Sequence, residues 1–79
     1  MKYEYRSRDF YLTCICMASE CKLERLEKLS GNLVEFVFQE QAEKCTEIIS
    51  RHWAGELKVN SKKIVEAIVE LKTRLHNRV

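Results

Sequence analysis

The run Leu33-Val34-Glu35-Phe36-Val37-Phe38 constrains this chain more than any other feature, because a stretch so rich in β-branched and aromatic residues favours an extended backbone. A strand leaves its N–H and C=O groups unpaired until a neighbour supplies partners, so some other segment must also be extended. The nearest candidate is residues 22–29, and Ser30-Gly31-Asn32 has the composition of the hairpin turn that would join the two. Locally, however, Leu23, Leu26 and Leu29 recur every three residues, and Glu24 and Lys28 stand at the i,i+4 spacing of a helical ion pair. A strand over about 22–29 is expected, with a bulge absorbing the irregular leucine spacing; a helix is the alternative.

Before this hairpin, Lys2-Tyr3-Glu4-Tyr5-Arg6 alternates charged and aromatic residues as a short strand with one buried face does. Ser7 and Asp9 offer oxygen acceptors to the free N–H groups of a helix over Phe10–Ala18. That helix is apolar nearly all round, which places it between other elements or in a subunit interface. Downstream, Glu40 to Trp53 reads as a second helix whose stripe holds Ala42, Cys45, Ile48, Ile49, His52 and Trp53, with Gly55 ending it. Asn60 or Ser61 then caps a third helix built on Ile64, Ile68, Leu71 and Leu75, seconded by Val65 and Ala67. With 79 residues, two glycines and no proline, the elements run unbroken and one core is the limit. The expected fold is a single α+β domain over residues 1–79, of order β-α-β-β-α-α, with a two- or three-stranded antiparallel sheet packed against helices.

No apolar stretch approaches the roughly 20 residues of a membrane span, so a water-soluble protein is expected. Lys2, Arg6 and Arg8 ahead of Phe10–Ala18 imitate a secretory signal, but Glu4, Asp9 and Thr13 interrupt the pattern. Cys14, Cys16, Cys21 and Cys45 are accordingly read as reduced thiols in a cytoplasmic protein.

Tyr5-Arg6-Ser7-Arg8-Asp9-Phe10-Tyr11-Leu12, Phe36-Val37-Phe38 and Leu71-Lys72-Thr73-Arg74-Leu75 together resemble a bacterial family of small domains of unknown function. The resemblance implies an α+β order like the one above, an origin in a bacterium or bacterial virus, and no assigned activity or site residue. It also implies a glycine after the first helix and a proline before the last, where this chain has Glu20-Cys21 and Asn60-Ser61.

Catalytic chemistry finds little purchase. Four cysteines with His52 and His76 are ligand types that zinc prefers, but no C-x-x-C occurs. On a helix Cys14 and Cys16 stand about 200° apart, and Cys45 and His52 about 10 Å apart along the axis. No metal, cofactor or catalytic residue is expected, and thiols in apolar surroundings make poor nucleophiles. Trp53 beside His52 can mark a ligand pocket, yet an aromatic on an apolar helical stripe is expected to be core. Phe36 and Phe38 are expected to pack beneath the helices rather than stack on bases.

Charge is unevenly spread. Residues 1–8 carry three basic and one acidic side chain, 9–57 five and nine, and 58–79 six and two. If the chain ends meet, Lys2, Arg6, Arg8, Lys58, Lys62, Lys63, Arg74 and Arg78 form a basic patch able to contact nucleic acid. The bland reading is an ordinary solvated face, since Lys62 with Glu66 and Glu70 with Arg74 are i,i+4 pairs. A nearly all-apolar first helix and a two- or three-stranded sheet are also hard to cover within 79 residues, which favours a homodimer. The expectation is a non-catalytic, self-associating module that binds nucleic acid, the alternative being a homodimeric protein-interaction adaptor.

Overall fold

A computed structural model describes residues 3–39 and 41–77 of the chain. The strand β1 (Tyr5–Ser7) is followed by the helix α1 (Phe10–Ala18), the hairpin of β2 (Arg25–Ser30) and β3 (Leu33–Phe38), and the helices α2 (Ala42–Trp53) and α3 (Ser61–Asn77). The strand expected over 22–29 starts three residues later, and helix is not its state. With Leu26 facing Phe36 in the ladder, Glu24 pairs instead with Arg25, and a register shift between Lys28 and Ser30 takes up the leucine spacing. Gly31, at φ +51°, begins the two-residue turn, where a left-handed backbone suits glycine. β3 is the middle strand of a three-stranded antiparallel sheet ordered β1-β3-β2.

Alternation along β3 gives the sheet two unlike faces. Val34, Phe36 and Phe38 enter a core shared with Cys14 and Cys16 of α1, Cys45 and Ile48 of α2, and Ala67 and Leu71 of α3. Phe38 and Leu71 are wholly buried, and each Leu or Phe so buried stabilises the fold by roughly 1.5–3 kcal/mol. Glu35 and Val37 point the other way, with Arg6 on one flank of Val37 and Arg25 on the other. α1 packs against α2, α3 and β1, which covers most of its apolar circumference but leaves Tyr11 exposed. Val65, expected to second the core, is exposed: it is turned about 100° from Ile64, outside the arc that Ala67 and Leu71 centre.

The caps follow from side chains named in the sequence. Asp9 accepts the Leu12 N–H at 2.9 Å to start α1, and Asn60 accepts the Lys62 N–H at 2.8 Å at the start of α3. The ends of α1 and α2 share one hydrogen-bond pattern. At α2 the Gly55 N–H donates to His52 O and the Glu56 N–H to Arg51 O; at α1 the Glu20 N–H donates to Met17 O and the Cys21 N–H to Cys16 O. Both close through a left-handed residue at φ 74°, Gly55 in one and Glu20 in the other. A glycine takes this conformation at little cost, whereas Glu20 carries a Cβ strained there and adds an ion pair, its carboxylate 2.7 Å from the Lys63 ammonium. Among the described residues no helix is long and apolar enough to cross a membrane.

Candidate functional site

The outer face of the sheet concentrates charge. In register, Glu27 of β2 stands directly opposite Glu35 of β3, a like-charge pairing that destabilises a sheet unless a cation intervenes. Arg6 on β1 supplies that cation, donating to Glu27 at 2.8 Å, Glu35 at 3.0 Å and Glu4 at 2.9 Å. Arg25 reaches Glu27, Glu4 and Glu24, and Arg8 lies 3.6 Å from Glu35. Val37, between Arg6 and Arg25 in register, is fully buried on this face, the aliphatic stems of the two arginines giving the natural cover. The electrostatics agree. Arg25 and Arg6 hold the Glu4 carboxyl below its ordinary range, Arg6 and Arg25 do so for Glu27, and the Arg6 guanidinium is driven further toward its charged form by Glu27, Glu35 and Glu4.

The expected basic residues therefore occupy separate places. Lys2 and Arg78 lie outside the described residues. Arg6 and Arg8 belong to the charged sheet face. Lys63 is paired with Glu20, and Arg74 donates to the Leu23 and Glu24 carbonyls at 3.4 Å while standing 3.7 Å from Glu70. Lys58 and Lys62 are exposed and enter no ion pair among the described residues, so the pairing of Lys62 with Glu66 suggested by their spacing does not form.

The helical side is different in kind. Cys14 and Ile15 of α1 lie between His52, from the last turn of α2, and Ile64 and Ile68 of α3; Leu57 and Val59, in the connection between α2 and α3, and Tyr11 complete the boundary. Together they line a groove of about 330 Å³ that contains no carboxylate. Its edges are apolar as well. Tyr11 is 65% exposed, and Trp53, whose ring lies 5.0 Å from that of His52, is 72% exposed.

The expectation of a core Trp53 is thus corrected. Trp53 stands at the edge of the stripe through Ala42 and Ile49, on the final turn of α2, where the chain has already turned at Gly55 and leaves no element above the ring. Sequence reasoning also missed Tyr11, because the apolar circumference of α1 gave no sign of which side chain would be left uncovered. The available signal for Trp53 was its place two residues before a glycine helix stop.

The groove brings His52 and Cys14 to one surface, a combination that invites a nucleophile reading. Its chemistry runs the other way: burial pushes the Cys14 thiol up to about 11, only partly offset by the nearby Lys72 ammonium. The remaining thiols cluster on the inner side of α1, where Cys45 interacts with both Cys16 and Cys21. Burial raises Cys21 to about 12, and the neighbouring Cys16 thiol, together with burial, raises Cys45 further. All four are free and buried, and among the described residues no group of three ligand side chains is placed to hold a metal ion.

No protein-family model, curated protein or solved structure matches the chain, so a functional reading rests on its own residues.

Proposed function

We propose that this protein is a non-catalytic, self-associating protein-interaction module whose working surface is the groove between α1, α3 and the end of α2. The supporting observation is the contrast in occupancy between its two candidate surfaces. Arg6, Arg8, Lys63 and Arg74 are engaged by carboxylates of the same chain, whereas the groove and its rim leave Tyr11 and Trp53 each more than half exposed. Apolar side chains grouped in this way around a concave surface mark interaction sites more often than they decorate a free one. Free, buried thiols suit a reducing compartment, in keeping with a cytoplasmic protein.

A nucleic-acid reading retains one observation in its favour: Lys58 and Lys62 are exposed near the start of α3. A salt titration of binding to mixed DNA and RNA, with the mass of the free protein measured alongside, separates the two. The expected result is a dimer with no binding that depends steeply on salt. A monomer whose nucleic-acid affinity falls steeply with salt, and weakens further in Lys58→Gln and Lys62→Gln, would replace this reading with the other.

A further inference from the structure

From the juxtaposition of an exposed indole and an unfilled apolar groove on one side of the molecule, we infer that the occupant of the groove is Trp53 of a second copy, inserted reciprocally across a twofold axis. The inference rests on the protein-interaction reading above and names its partner and its anchor. A twofold interface requires that a protruding group and its receptor lie on the same patch, because each copy presents that patch to the other. Here they are joined through adjacent residues: His52 lines the groove and Trp53 projects beside it.

Area and charge support a second copy. Trp53 and Tyr11, each about two-thirds exposed, offer on the order of 250 Å² per copy, about a third of the ~800 Å² that a standard interface takes from each partner. Val65 and Val69, each 59% exposed on the neighbouring surface of α3, extend the apolar area. Glu56 lies three residues beyond Trp53, and Lys58, exposed between the groove residues Leu57 and Val59, stands beside the groove. Neither enters an ion pair among the described residues, so reciprocal docking gives the acid beside each indole a cation beside the receiving groove. Tryptophan at the centre of a desolvated contact is also the residue type that most often dominates association energy.

The test uses two variants of the full chain, Trp53→Ala, which removes the protruding group, and Val59→Arg, which blocks the groove with a side chain long enough to bring its charge to water. Sedimentation of each alone should show dimer dissociation weakened at least about tenfold, with far-UV circular dichroism unchanged. An equimolar mixture should recover a dimer at concentrations where neither variant alone forms one, because one indole and one open groove remain to pair. A wild-type protein that is monomeric to about 1 mM overturns both this inference and the self-association on which it rests. A wild-type dimer that Trp53→Ala leaves intact, or variants that weaken but do not complement, overturns the Trp53 contact alone.

Discussion

The outer face of the sheet and the groove across α1 meet the solvent in opposite ways. On the sheet, Val37 is the central apolar residue and is sealed at 0% exposure, with Arg6 and Arg25 beside it closing ion pairs to carboxylates from all three strands or their approaches. In the groove, Ile64, Ile68, Leu57 and Val59 are buried only in part, and the lining contains no charged side chain to cover them. A surface rich in charge can thus be chemically complete while one poor in charge is not. The number of lysines and arginines in a sequence measures neither, because a cation already held by three carboxylates has little left to offer a phosphate.

The largest expected effect should leave this contrast untouched. Phe38→Ala removes a ring from the core beneath both surfaces and should cost about 3–5 kcal/mol in urea unfolding. The next would break the sealed face selectively. Arg6→Met keeps most of the stem over Val37 but leaves the opposed Glu27 and Glu35 with Arg25 and the more distant Arg8 alone, with no cation bridging the two, and should lower the thermal midpoint by several degrees at pH 7 and by much less near pH 3. Arg51→Met, which removes an exposed i,i+4 pair with Glu47, should change stability by no more than about 0.5 kcal/mol.

Titration should separate the two regions by sign. The carboxyls of Glu4 and Glu27 are depressed in the folded protein, so their contribution is present above the unfolded pKa near 4 and is lost as pH falls through the lower folded values. Cys14 and Cys21 are raised, to about 11 and about 12, so the stability that they favour is full below the unfolded thiol value and is lost as pH rises from about 8.5 toward those values. Thermal midpoints across pH should therefore show an acid limb that Arg6→Met flattens and an alkaline limb that Cys21→Ala reduces. The smallest effect belongs to the open region: Trp53→Ala should leave the stability of the dissociated monomer within about 0.5 kcal/mol of the parent, since its ring is not in the core.

Much of the framework was legible from local chemistry. Asp9 and Asn60 accept the N–H groups that their side chains suit, Gly31 and Gly55 occupy left-handed turns, and the demand of β3 for a partner correctly outweighed the helical spacing of Leu23, Leu26 and Leu29. What could not be read was which neighbours tertiary packing would supply. Arg6 looked available for a phosphate because Glu27 and Glu35 are distant in sequence and meet it only through strand register. Trp53 looked buried because helical periodicity gives the side of a helix on which a residue lies, without giving the length over which another element covers that side. The proposed Trp53 contact rests on such uncovered remainders.

The four enclosed sulfurs also provide a built-in record of how the protein opens. In the closed molecule burial keeps Cys14 and Cys21 shielded and protonated, and the Cys16 thiol together with burial does so for Cys45, so a maleimide added at neutral pH has almost no thiolate to attack until the surrounding elements separate. The modification rate of each cysteine then reports the opening equilibrium of its own locality, in the manner of amide exchange but with a covalent mark that mass spectrometry can assign. Cys14 looks onto the groove floor, whereas Cys45 sits with Cys16 and Cys21 on the inner side of α1. Comparing their labelling clocks would show whether the helical layer lifts away piece by piece or the whole chain comes apart at once.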